Sequence, residues 1–230
     1  MNVFCAVWYY QAMKIIGING SPRKGWNTHT LVEDCLKGAA SKGAETELIN
    51  LYDFDFRGCV SCFQCKRLEG PSLGRCAVQD SLRPVLDKID VCGGLILGSP
   101  VYIGEVTAST RALIERLTFQ YISYGEDRKS RFARRIPVGL IYTMNVPGEA
   151  LESSGYKARF KFYEDLFTRI LGPAKTLLST ETWQTENYGK YGITMFDEGA
   201  RRKRREEVFP RDRRGAFDLG ACCASCAAGC

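Results

Sequence analysis

The chain of 230 residues carries 32 Lys and Arg against 26 Asp and Glu, a net charge of +6, with 45% hydrophobic and 25% charged residues. That is enough chain for one domain with a full core, and the composition excludes a disordered or fibrous protein. No apolar run is long enough to span a bilayer. The charge excess gathers in Arg201-Arg202-Lys203-Arg204-Arg205 ahead of Glu206 and Glu207, which reads as a solvated helix face and not as a nucleic-acid or membrane surface.

Residues 1–12 are apolar but have no basic leader, so they are expected to be an N-terminal extension of a cytoplasmic protein. A buried strand is expected over 14–19, then a polar turn, then a helix over 28–42 with Leu31, Cys35, Leu36 and Ala39 on one face. A second strand follows at 45–51. Residues 52–80 lack periodicity and hold four cysteines, and a loop of that length is usually functional. A helix at 81–89, a strand at 93–98 and a helix at 107–117 come next. Strands at 136–143 and 174–180 then alternate with helices at 156–171 and 199–219. The alternation predicts an α/β, flavodoxin-like three-layer sandwich with a five-stranded parallel sheet of order 2-1-3-4-5. The domain is expected to occupy 13–220, with 52–80 as an inserted loop and 221–230 as a disordered Cys-rich tail.

In that topology ligands sit beyond the carboxyl ends of the first, third and fourth strands, where this chain has its unusual loops. The first loop, Gly20 to Thr28, is an anion cradle: helix-terminal amides, the helix dipole, the side chains of Ser21, Asn27 and Thr28, and the guanidinium of Arg23. Gly20 and Gly25 have the Walker spacing, but Trp26 and Asn27 stand where Lys and Ser or Thr would bind a triphosphate and its metal. Gly17 and Gly20 also fall short of a G-x-G-x-x-G dinucleotide turn. A monophosphate site remains. Cys59, Cys62, Cys65 and Cys76 form C-x2-C-x2-C-x10-C, a spacing suited to a [4Fe–4S] cluster and also to free loop thiols. Cys35 and Cys92 read as packed thiols, and His29 as an exposed first-turn residue.

Gly20-Ser21-Pro22-Arg23-Lys24 with Asn27-Thr28, Gly98-Ser99-Pro100-Val101-Tyr102 with Gly104, and the run from Gly58 to Lys66 together resemble the NAD(P)H-dependent FMN reductase and iron–sulfur flavoprotein group. The resemblance implies FMN, with its phosphate on Ser21, Arg23, Asn27 and Thr28. It places the isoalloxazine against Pro100, Val101, Tyr102 and Gly104, with a third wall of Thr143, Met144 and Asn145. It further implies NAD(P)H as co-substrate, a small acceptor such as a quinone, a nitro or azo compound or free flavin, and a homodimer or higher homo-oligomer. No side-chain acid or base is assigned, because hydride transfer to a flavin needs none. Two alternatives stand beside this one. The first is an electron carrier with a [4Fe–4S] cluster on Cys59, Cys62, Cys65 and Cys76 and a ferredoxin partner; the second is a flavodoxin-fold binding or regulatory protein without turnover.

Overall fold

The computed structural model describes residues 13–126 and 129–228, so the expected 1–12 extension and Cys230 lie outside the described residues. Strand β1 (Lys14–Asn19) sets the architecture, because Ile15, Ile16 and Ile18 are all fully buried although they point to opposite faces. A strand buried on both faces needs a helical layer on each side. Next come β2 (Glu45–Asn50), β3 (Gly94–Tyr102), β4 (Glu105–Val106), β5 (Val138–Thr143) and β6 (Ala174–Ser179). The parallel strands lie in the order β2-β1-β3-β5-β6.

The expected five strands are therefore corrected to six. β4 is a two-residue strand that runs antiparallel to the end of β3, pairing Val101 with Val106 and Tyr102 with Glu105. Two residues carry no readable periodicity, which is why the sequence does not reveal it. β3 also continues past Gly98, so Pro100, Val101 and Tyr102 extend the sheet instead of forming a free loop. Pro100 pairs with Thr143 of β5, and this brings two of the expected walls side by side.

The helices are α1 (Asn27–Ala40), α2 (Arg83–Val91), α3 (Ala108–Tyr121), α4 (Tyr156–Ile170), α5 (Glu198–Glu207) and α6 (Phe209–Ala228). Helices α2, α3 and α4 pack with Ile16, Ile18, Leu95, Leu97 and Leu140 on one face of the sheet. On the other face α1 and α6 pack with Ile15, Ile96 and Ile141. No helix among the described residues is long and apolar enough to cross a membrane.

The single helix expected over 199–219 is two helices, broken at Val208. Pro210 has no N–H with which to continue α5, but it is well suited to the first turn of α6. The expected disordered tail is also corrected. Helix α6 runs on to Ala228, with Cys223 and Ala224 buried against α1. The small residues Ala221 to Ala227 look like a linker in composition, yet small side chains are what a close helix pair requires.

Contact between α1 and α6 is backbone to backbone. A Cβ on Gly38 would lie 1.9 Å from the carbonyl oxygen of Phe217, and one on Gly220 would lie 1.7 Å from that of Cys35. Burial in this seam pushes the Cys35 thiol far up and that of Cys223 up to about 12. By contrast, a Cβ on Gly215 would meet Leu177 at 3.4 Å, an ordinary contact. Gly220→Ala and Gly38→Ala are each expected to lower stability by about 1–3 kcal/mol through overpacking. Gly215→Ala is expected to be neutral or to stabilise by up to about 1 kcal/mol, since it removes a helix-interior glycine. Urea unfolding of the three variants checks both signs.

Candidate functional site

The turn after β1 is tied down by its own side chains. Asn19 Oδ1 accepts from the Ser21 amide at 3.1 Å, while Asn19 Nδ2 donates to Ser21 O at 3.1 Å and to Asn50 Oδ1 at 3.0 Å. Ser21 Oγ accepts from the Arg23 amide at 3.1 Å, which leaves its hydroxyl proton to donate elsewhere. Helix α1 then opens from Trp26 with no side-chain cap and no acid in its first turn. Its first amides and the positive end of its dipole face the cleft, an arrangement that an anion would complete.

The cleft holds about 480 Å³ of space, part of it open to solvent. It gathers Ser21, Arg23, Asn27 and Thr28 from the first loop, Pro100, Val101 and Tyr102 from β3, and Thr143, Met144 and Asn145 from β5. Of the expected cleft residues only Gly104 stands outside the lining. It sits beyond Tyr102 at φ +77°, after Ile103 at +50°, with its carbonyl held by Arg159. The Thr28 hydroxyl is turned toward Thr143, 2.7 Å away, and links α1 to β5 across the cleft floor.

A fourth wall was not legible in the sequence. After β6 the chain folds back through Glu181, a non-glycine at φ +51°, and Thr182 donates from its amide to Met144 O at 3.0 Å. This turn delivers Thr182, Trp183 and Gln184 to the cleft, beside Trp26 from the first loop. Trp183 and Gln184 fall in a stretch without periodicity; an isolated aromatic beside an amide there was the one available signal. Asn27 bonds into this wall, with Nδ2 donating to Trp183 O at 2.7 Å, and Arg23 donates to Gln184 O at 2.6 Å. Both amide atoms of Asn145, and Oε1 of Gln184, are buried without a partner. Unpaired buried amide atoms are costly, so their presence in a cleft marks a place for a ligand with complementary donors and acceptors. His29 is not the exposed residue expected; its side chain is 12% exposed and lies 3.5 Å from Glu33.

The expected cysteine set converges on a second pocket. Cys59, Cys62, Cys65 and Cys76 line it together with Phe63, Phe119, Arg116 and Gln120. Between the cysteines, Ser61 and Phe63 adopt φ +56° and +57°, which curls the loop inward at a cost of about 1–3 kcal/mol for each residue. The loop is latched to α3: Lys66 caps its C-terminal carbonyls, including Ile122 O at 2.7 Å, and the Cys76 amide donates to Gln120 Oε1 at 2.8 Å. Burial lowers the Lys66 ammonium and raises the Cys65 thiol. Arg116, 2% exposed, is paired with Asp80. Among the described residues no three Cys, His, Asp or Glu side chains form a ready metal-binding group. The four thiols share one pocket without being drawn onto a single point.

Residues 13–152 match the family described as NADPH-dependent FMN reductase. An iron-sulfur flavoprotein of Methanocaldococcus jannaschii is 42% identical over 104 residues, 45% of this chain and 51% of the relative. An iron-sulfur flavoprotein of Archaeoglobus fulgidus is 32% identical over 128 residues, 56% of this chain and 60% of the relative. These matches span 51% and 60% of the curated relatives, so they leave much of each relative unaligned. Among solved structures, NAD(P)H:quinone oxidoreductase from Methanothermobacter marburgensis aligns with a TM-score of 0.63 at 16% identity, covering 90% of this chain and 99% of that one. Identity that low shows a shared fold and nothing more.

Two outcomes follow from the cysteine pocket. Asp80→Ala leaves the buried Arg116 charge without its carboxylate and is expected to cost about 3–5 kcal/mol in chemical denaturation. Iodoacetamide near about pH 8 is expected to label exposed Cys59 and Cys62 in the folded chain. It should reach the buried Cys35, Cys92 and Cys223 only after unfolding, as read by mass spectrometry.

Proposed function

The chain belongs to the NADPH-dependent FMN reductase family, and from that premise we propose that it binds FMN and passes electrons from NAD(P)H to a small acceptor such as a quinone, a nitro or azo compound, or free flavin. The observation that carries the reading is the trio of buried unpaired amide atoms on Asn145 and Gln184, in a cleft that also holds an uncapped helix N-terminus. FMN has matching ends: a phosphate monoester, and a ring edge with alternating donors and acceptors.

When bound, FMN supplies the hydride and electron chemistry. The chain's residues bind, orient and limit access. Ser21 and the first amides of α1 donate to the phosphate, and Arg23 adds charge. Asn145 and Gln184 offer both donor and acceptor atoms to the ring edge and so fix its rotation in the cleft. Tyr102, 46% exposed at the mouth, gives the ring a flat apolar neighbour and leaves one side open to a co-substrate. Tyr156 lies close by, its hydroxyl 3.8 Å from where a Cβ on Gly104 would stand.

A specific observation favours a second reading, in which Cys59, Cys62, Cys65 and Cys76 hold a [4Fe–4S] cluster and the protein exchanges single electrons with a ferredoxin-class partner. Four thiols around one pocket fit such a cluster better than a single ion, since a cube takes one thiolate at each iron corner. The left-handed turns at Ser61 and Phe63 are of the kind that aim successive amides at an anionic centre. The names of the curated relatives point the same way.

Anaerobic purification with a visible spectrum and iron and sulfide assays separates the readings. Flavin bands without iron support the reductase, and broad absorbance with about four irons per chain supports the carrier. Failure to bind FMN after reconstitution sinks both. Asn145→Leu is expected to weaken FMN binding by roughly tenfold or more, as followed by quenching of flavin fluorescence.

A further inference from the structure

Helix α5 carries four arginines, and three of them end on carboxylates. Arg201 pairs with Glu181 at 2.7 Å, Arg202 with Glu198 at 3.1 Å, and Arg204 with Asp212 at 2.5 Å. Arg205 does not. Its guanidinium donates to Asn27 Oδ1 at 2.8 Å and lies 4.0 Å from the centroid of the Phe209 ring. Its charge is disfavoured by burial and by the neighbouring positive Arg213 and Arg204, whose own carboxylates are Asp34 and Asp212. A half-buried cation held against an amide oxygen, in a helix that otherwise pairs its arginines, is a charge awaiting an anion.

The position of that amide identifies the anion. Asn27 opens α1 and lines the cleft; Oδ1 takes the Arg205 bond while Nδ2 donates to Trp183 O. Arg205 therefore fixes which way the Asn27 amide faces and brings positive charge behind the helix end that has no acid of its own. We propose that Arg205 is a positioning residue for the flavin phosphate: it orients Asn27 and supplies the charge that makes the cleft select a phosphorylated flavin over riboflavin. This rests on the FMN reading above and goes beyond it, because Arg205 lies outside the residues 13–152 that match the family. A phosphate monoester is close to dianionic at neutral pH, so a fixed cation near it acts on FMN and not on riboflavin.

The test titrates full-length apoprotein with FMN and with riboflavin, following flavin fluorescence, for the unsubstituted chain, Arg205→Ala, Arg205→Lys and the exposed control Lys203→Ala. Arg205→Ala is expected to lose roughly 10- to 100-fold in FMN affinity, the range of one hydrogen bond to a charged group. Riboflavin affinity should hold, Arg205→Lys should recover part of the loss, and Lys203→Ala should match the parent. The dependence of FMN binding on salt should also flatten in Arg205→Ala. Should Arg205→Ala not fold, Arg205→Gln, which keeps a donor for Asn27 without the charge, carries the same expectation for the FMN-to-riboflavin ratio. Equal losses for both flavins would mark a structural role and overturn the assignment. An unchanged FMN-to-riboflavin ratio would do so as well, and so would an effect confined to NADPH over NADH at constant FMN affinity. No FMN binding by the unsubstituted chain overturns the FMN reading itself.

Discussion

Everything at the cleft depends on how β1 hands over to α1 at Gly20. The Gly20 amide donates to Gly98 O at 2.8 Å, and its carbonyl accepts from Thr107 Oγ1 at 2.9 Å. A Cβ there would lie 2.0 Å from Thr110 Oγ1. One residue without a side chain thus joins the first loop to the middle of β3 and to the N-terminus of α3. Thr107 uses the same hydroxyl to cap α3, accepting from the Thr110 amide at 3.3 Å. The cradle, the β3 wall and the helix that carries the cysteine pocket are therefore positioned by a single knot of one backbone bond and the Thr107 hydroxyl.

Helix α3 extends that coupling. Its start is fixed at the cleft, and its far end is capped by Lys66 from the cysteine loop. Residues 51–82 need such an anchor, because the loop has no sheet partner and stores strain at Ser61 and Phe63. Burying a guanidinium at Arg116 is expensive unless its hydrogens are taken up, and Asp80, Arg57 O and Val78 O take up most of them. Nε of Arg116 is left buried and unpaired beside the thiols. Strain at Ser61 and Phe63 is a cost that the bonds from Lys66 and Cys76 to α3 offset.

The alternation of apolar runs with amphipathic stretches exposed the doubly wound sheet, since a buried parallel strand such as β1 has few other sequence forms. The cradle was equally visible, because Ser21, Asn27 and Thr28 sit beside a helix start. Four features were hidden, each for a physical reason. β4 is too short for any period. The break at Val208 rests on Pro210, whose place in a first turn reads the same in sequence as a place near a helix end. The Cys-rich end looked like a linker because small residues serve linkers and tight helix seams alike, and its packing against α1 distinguishes them. The Trp183–Gln184 wall is a tertiary fact, set by a left-handed Glu181 that no local pattern announces.

These hidden parts share a location in the chain: all except β4 lie after β5. The segment that matches the family, 13–152, supplies the cradle, the β3 wall, the third wall and the thiols. The later segment closes the cleft from the outside, with Trp183 O on Asn27, Gln184 O on Arg23 and Arg205 on Asn27 again. Two cradle side chains are thus held by partners drawn from beyond residue 180. The generic half of the site can receive a phosphate by helix geometry alone, whereas the choice among phosphorylated and unphosphorylated ligands needs fixed charge and fixed amide orientation. On the FMN reading those come from α5 and from the turn after β6, both beyond residues 13–152 that match the family.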